Sequence, residues 1–286
     1  MTDEEKRKIF EQVLKEQFDS DVVAFEDMHV MPLMDTEYHS RYFYIGLCLS
    51  GYITGQHDYH DYRFCAGDIC WVLPGHVLSH RYVSDDYKVL SIFVSEKYFD
   101  NLKHQGALGK YQYITNMDSV SLPPAVFDSV HEAFRLLISM KKLDVGRNVE
   151  LRSSVISIIT TIVDEHIARV YPDMPSNQKL HEELFERFHD AVVKHYRESR
   201  EVSYYACLLC RSPKYFATVI KETTGIPATE WINRYVIIEA KWMLRRERQK
   251  SIQQIAGQLG FSEHASFSRL FKKMEGITPT EYREQI

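Results

Sequence analysis

One short pattern is written twice near the end of this chain, and that duplication limits the possible folds more than any other feature. Ala206, Cys210, Ser212, Phe216, Gly225 and Trp231 recur as Ala256, Gly260, Ser262, Phe267, Gly276 and Tyr282. The offset is 50 residues from Ala206 to Ala256 and 51 from Phe216 to Phe267, so the second copy carries one extra residue ahead of its phenylalanine. Both copies close alike, with Gly-Ile-Pro-Ala-Thr-Glu-Trp at 225–231 and Gly-Ile-Thr-Pro-Thr-Glu-Tyr at 276–282. A solenoid needs three or more repeats. Two make a tandem pair.

Each copy reads as helix-turn-helix. Ile252, Ile255, Ala256 and Leu259 fall at i, i+3, i+4, i+7, the buried stripe of a short amphipathic helix. Gly260 supplies the left-handed residue that ends it, and Ser262 is expected to cap the next helix. That helix buries Phe267, Leu270, Phe271 and Met274 and turns His264, Ala265, Ser268, Arg269, Lys272 and Lys273 outward. The first copy buries Val202, Ala206 and Leu209, then Phe216, Val219, Ile220 and Thr223, leaving Lys214, Ala217, Thr218 and Lys221 outward. Cys210 stands where the second copy has glycine, which predicts a less regular turn. A helix that presents small polar residues with Lys and Arg suits the DNA major groove, which admits one helix. A long helix over 228–248 would space two such readers by about one DNA turn, roughly 34 Å.

The stretches Ser-Ile-Gln-Gln-Ile-Ala-Gly-Gln-Leu-Gly-Phe (251–261), Ser-Phe-Ser-Arg-Leu-Phe-Lys-Lys (266–273) and Gly-Ile-Thr-Pro-Thr-Glu-Tyr-Arg (276–283) resemble the signature of AraC/XylS-type bacterial transcription regulators. The resemblance covers about the last third of the chain. It implies seven helices, with recognition helices near 212–223 and 263–274 in successive major grooves of double-stranded DNA. Carried over by position, Lys214, Ala217 and Thr218 read bases in the first unit, and His264, Ala265, Ser268 and Arg269 in the second. Lys221, Lys272 and Lys273 grip phosphates. Many relatives have Arg or Gln where Ala217 and Thr218 stand, so base reading by the first unit departs from the family pattern, although a threonine methyl can still meet thymine.

Charge is divided between the two ends. Residues 178–286 hold 18 Lys and Arg against 14 Asp and Glu, a net +4, and residues 1–177 therefore hold a net −9 of the total −5. The overall sign alone would argue against nucleic acid, but phosphate attraction acts on the local field.

Upstream the pattern changes. Residues 3–18 read as an amphipathic helix carrying Ile9, Phe10, Val13, Leu14 and Phe18 on one side. From about residue 22 to 94, short segments rich in aromatic and β-branched residues alternate with Gly, Asp, Pro and Ser, as in a β-sandwich or barrel. Gly67-Asp68-Ile69 followed by Leu73-Pro74-Gly75 resembles the cupin jelly-roll of AraC-type sensor domains. Tyr44, Trp71, His80 and Tyr82 are the expected walls of a small-molecule pocket by strand alternation, and packed core is the other reading of the same residues. Histidines 57, 60, 76 and 80 invite a metal reading. The pattern is His57-Asp-Tyr-His60 with no Glu in the dozen residues that follow, so no metal site or other cofactor is assigned.

Beyond Pro123-Pro124, stripes at Val126, Val130, Phe134, Leu137, Ile138 and at Leu151, Val155, Ile158, Ile159, Ile162, Val163 form two helices. They either pack on the barrel or pair with a second chain, and the resemblance favours a homodimer. A proline-containing stretch at 171–178 reads as the linker. The expected organisation is a sensing and dimerisation domain over 1–170 and a DNA-binding domain over 179–286. The fold class is a two-domain α+β chain, with an N-terminal cupin/jelly-roll β-barrel and helical hairpin ahead of an all-α tandem helix-turn-helix domain.

Five cysteines do not make a disulfide framework, and no apolar run reaches the 18 or so residues that span a bilayer, so a cytoplasmic protein without a membrane partner is expected. Cys207 and Cys210 form a C-x-x-C without a nearby βαβ pattern, and Cys207, Leu208 and Leu209 are expected simply to pack. The leading expectation is a sequence-specific transcription regulator, not an enzyme, that answers to a small-molecule effector and meets RNA polymerase. Two alternatives stand beside it: a metal-dependent cupin enzyme fused to a helical module, and a ligand-independent DNA-binding dimer.

Overall fold

The computed structural model describes residues 21–26, 34, 37–58, 60–104, 119–140, 148–170 and 176–285. The expected helix over 3–18 and the 171–175 part of the expected linker lie outside them. The chain forms two compact units, Met1–Met174 and Pro175–Ile286.

The first unit is built on two antiparallel sheets. One has the order β1-β8-β3-β6-β9, from β1 (Val22–Glu26), β8 (Lys88–Ser95), β3 (Tyr42–Ser50), β6 (Asp68–Val72) and β9 (Val120–Ser121). The other has the order β2-β7-β4-β5, from β2 (Tyr38–His39), β7 (Val77–Val83), β4 (Tyr52–His57) and β5 (His60–Cys65). Strand alternation sends Phe43, Ile45, Leu47, Trp71, Ile92 and Val94 to one face of the larger sheet. There they bury against Tyr98 and Phe99 of helix α1 (Glu96–His104), Val130, Phe134 and Leu137 of α2 (Pro124–Met140), and Ile156, Ile159 and Val163 of α3 (Val149–Val170). The opposite face meets the smaller sheet through a second core of Cys48, Ile53, Phe64, Cys70 and Val89.

The second unit contains seven helices among the described residues: α4 (Ser176–His195), α5 (Val202–Leu208), α6 (Pro213–Thr224), α7 (Ala228–Arg246), α8 (Ile252–Gln258), α9 (His264–Glu275) and α10 (Pro279–Glu284). Helix α4 opens at Ser176, three residues before the expected start. Its Phe188 is fully buried and lies edge-on to Tyr205 at 5.7 Å and Phe216 at 5.1 Å, with Trp231 at 5.3 Å. One ring thus joins α4 to α5, α6 and α7. The second half closes on its own aromatic chain, Phe261–Phe267–Phe271–Tyr282. Lys241 of α7 reaches Glu275 of α9 at 3.1 Å, both largely shielded from water.

Candidate nucleic-acid interface and effector pocket

The two candidate recognition helices, α6 and α9, end in the same way. Gly225 and Gly276 take left-handed φ values of 75° and 79°, and their amides donate to the carbonyls of Lys221 and Lys272. Their starts differ. Ser212 caps α6, its hydroxyl accepting from the Tyr215 amide, whereas α9 begins after Glu263, whose side chain makes no capping bond. Ser262 is therefore not the cap the sequence predicts. The extra residue of the second copy falls between this serine and the helix and carries the hydroxyl one position too far back.

In the shorter helices, Ser251 and Gln254 form a reciprocal capping box at the start of α8, and Thr278 and Glu281 form another at α10. The turn between α5 and α6 places Cys210 at φ 54°, the same left-handed region that Gly260 occupies at φ 80° in the second copy. A β-carbon there is disfavoured by about 1–2 kcal/mol. Cys210→Gly is accordingly expected to stabilise the second unit by about 0.5–1 kcal/mol, after glycine's larger chain entropy is subtracted. A rise in the urea midpoint, followed through Trp231 and Trp242 fluorescence, is the measurement. Of Cys207, Leu208 and Leu209, all expected to pack, only Leu209 does; Cys207 and Leu208 are exposed, as is Cys210.

The outward residues predicted from periodicity lie on the outer faces of α6 and α9. Lys214, Thr218 and Lys221 are exposed on the first, and His264, Ala265, Arg269, Lys272 and Lys273 on the second; Ala217 and Ser268 are partly covered. Thr218 donates its hydroxyl proton to the Lys214 carbonyl at 3.0 Å, so the proton is engaged inside the helix. Ser268 and His264 lie 3.3 Å apart, and the Arg269 guanidinium donates to the Ser266 hydroxyl at 3.3 Å. Sequence reasoning passed over Tyr215, which is 47% exposed between Lys214 and Phe216. The signal was available: the core stripe Phe216, Val219, Ile220 has i, i+3, i+4 spacing, and Tyr215 precedes it on the Lys214–Thr218 side of the helix.

In the first unit the four expected pocket residues do not converge. Tyr44 lies on the inter-sheet face of β3, with its hydroxyl 3.3 Å from Ser91. His80 stands on β7 between the hydroxyls of Tyr38, 2.8 Å from Nε2, and Tyr62 at Nδ1. Burial pushes its pKa down to about 4, which keeps the ring neutral at physiological pH. Burial likewise holds the Tyr44 phenol well above its usual range. Trp71 points the other way, into the helix-covered core, because it pairs with Ile45 and not with Tyr44. Tyr82 is 50% exposed and stacks on Tyr52, whose ring lies 4.1 Å from the Arg63 guanidinium. The cause is a bulge: β4 pairs Thr54 with Tyr82 but Gly55 with His80, so the i, i+2 rule fails between His80 and Tyr82.

Compared with known proteins, residues 205–285 match the family described as a helix-turn-helix domain. The regulatory protein PocR of Salmonella typhimurium is 37% identical over 75 residues, 26% of this chain and 24% of that protein. The arabinose operon regulatory protein of the same organism is 30% identical over 111 residues, 37% of this chain and 39% of the relative. The matched stretches thus span well under half of these relatives. Among solved structures, ToxT of Vibrio cholerae is 15% identical, covers 93% of this chain and 99% of its own, and gives a TM-score of 0.49.

Proposed function

We propose that this chain, whose C-terminal unit is an AraC-type helix-turn-helix domain, is a sequence-specific DNA-binding transcription regulator governed by a small molecule held between its N-terminal sheets. The observation that carries the reading is the pair of recognition helices α6 and α9. They share the same glycine C-caps, and each presents small and basic residues to solvent. Lys214, Ala217 and Thr218 would read one groove, and His264, Ala265, Ser268 and Arg269 the next. Lys221, Lys272 and Lys273 would hold phosphates. Thr218, whose hydroxyl proton is turned inward, would offer its methyl to a thymine. His80, buried and held neutral between the hydroxyls of Tyr38 and Tyr62, supports an uncharged, hydrogen-bonding effector.

Leu136, Leu151 and Ile158 are 47%, 37% and 50% exposed on α2 and α3, which supports pairing of two chains there and delivery of two DNA-binding units to one operator. RNA polymerase is the further partner of such a complex. Among the described residues no helix is long and apolar enough to cross a membrane.

The test begins with selection of the bound sequence from a random duplex pool. On that sequence Arg269→Ala is expected to weaken binding by about 1–3 kcal/mol while leaving random DNA nearly unaffected. Lys272→Ala is expected to weaken both alike and to flatten the salt dependence. Equal losses from Arg269→Ala on selected and random DNA would place that arginine on the backbone, and absence of any selected sequence would end the reading.

A further inference from the structure

At one end of the smaller sheet, His57, Asp58 and His76 each bring one ligand-type atom to within 4.8 Å of the others. His57 is the last residue of β4, Asp58 begins the turn that follows, and His76 immediately precedes β7. The sequence had set His57 beside His60, three residues on. The fold pairs it with His60 across β4 and β5 and also brings it to His76 at the start of the other neighbouring strand, β7, with those two rings 5.4 Å apart.

The backbone around these side chains is fixed. Asp58 sits at φ 52°, and its amide donates to the Val77 carbonyl at 2.8 Å. One of its carboxylate oxygens accepts from the Val77 amide at 2.9 Å and the other meets His76 Nδ1 at 2.6 Å. The His76 carbonyl accepts from the Ser40 amide at 2.8 Å. His76 itself is 1% exposed. A clasp that closes the turn accounts for the Asp58–His76 contact. A second imidazole, His57 from the neighbouring strand end, faces the same point.

We propose that His57, Asp58 and His76 form a binding site for a divalent late first-row transition ion, with zinc as the natural probe. Two imidazoles and a carboxylate are the donor set such ions take, at about 2.0–2.2 Å from the metal. Ligand atoms of a tetrahedral ion then stand roughly 3.4 Å apart. The three ligand atoms lie within 4.8 Å of one another, so binding requires the 2.6 Å Asp58–His76 hydrogen bond to open and half-buried His57 to close in. Three protein ligands leave a fourth position for water or a small molecule, as in open zinc sites. The ion would join the β4–β5 turn to the start of β7, three residues before His80. The proposal is independent of DNA recognition, and either can fail without the other.

The experiment is zinc titration of the chelator-treated full chain against a chromophoric chelator, with cobalt absorption as a second readout. One zinc per chain is expected. His57→Ala should weaken it about tenfold or more, since a first ligand matters at least as much as the outer partners of a metal site. Asp58→Asn should weaken it as well. Asparagine tolerates the left-handed turn and still accepts from the Val77 amide, so this variant keeps the fold and tests the ligand. A Cys207→Ser/Cys210→Ser double variant should bind as the parent does, and bound cobalt should show no thiolate band in the near ultraviolet. No retained zinc, undiminished binding in His57→Ala and Asp58→Asn, or binding lost with the two cysteines would each overturn the assignment.

Discussion

Gly260→Ala is expected to destabilise the second unit by about 3 kcal/mol or more, from two sources that add at one atom. The first is torsional: φ 80° is disfavoured for any residue with a β-carbon, by about 1–2 kcal/mol. The second is steric, since a β-carbon there would collide with the carbonyl oxygen of Arg197. That oxygen belongs to backbone and cannot rotate away, so the collision must be relieved by parting the chains, an overpacking cost of roughly 1–3 kcal/mol. The contact matters because it is where the second helix-turn-helix rests on the segment leading out of α4. Arg200 reinforces it, donating to the Gly260 carbonyl at 3.3 Å and lying 3.8 Å from the centre of the Phe261 ring. Gly225 and Gly276 provide the control. A β-carbon on either meets nothing within 4 Å, so their alanine variants should lose only the torsional part, about 1 kcal/mol. Urea unfolding of the three variants measures the ranking, and three equal losses would show that the Arg197 contact carries no weight. If the turn also sets the angle between the two readers, Gly260→Ala should weaken specific DNA binding by about tenfold or more under conditions where it remains folded.

The same turn shows how far the residues alone could lead. Cys210 and Gly260 occupy equivalent places, and the repeat identified both as helix ends, because turn chemistry and helical periodicity are local and leave a direct trace in the order of residues. The sequence did not show that Cys210 faces solvent while Gly260 lies against Arg197, a residue 63 positions earlier. The pocket residues follow the same division. Alternation separates Tyr44 from Ile45 on β3 but does not say which face meets helices and which meets the other sheet, since both faces of that strand are buried. Trp71 therefore lies in the helix-covered core and not on the side of Tyr44. The bulge opposite Thr54 and Gly55, which has no signature in composition, leaves Tyr82 exposed. Two of the three residues of the His57–Asp58–His76 cluster are adjacent in sequence. The third needs the pairing of β4 with β7, a contact between segments about twenty residues apart.

Phe188→Ala is the second large effect, expected at about 3–5 kcal/mol, the range for deleting a fully buried aromatic ring. Phe188 belongs to neither repeat, yet its ring fills the space that Tyr205, Phe216 and Trp231 share at 5.1–5.7 Å. The first helix-turn-helix contributes Tyr205 and Phe216 but cannot close that core by itself, so α4 completes it from outside the repeated pattern. The second helix-turn-helix takes no ring from α4, because Phe261, Phe267, Phe271 and Tyr282 pack edge-on within it. The loss should thus fall unevenly. Amide exchange in Phe188→Ala is expected to rise most across α5 and α6, with α9 keeping more of its protection. On the proposed DNA-binding reading, the Arg269→Ala effect should persist in this background while that of Lys214→Ala on α6 should fade. Phe188→Leu, which preserves much of the volume, should show a smaller loss in the same direction. Uniform loss of protection across all seven helices would instead make the unit a single cooperative core, and Phe188 one ring among many.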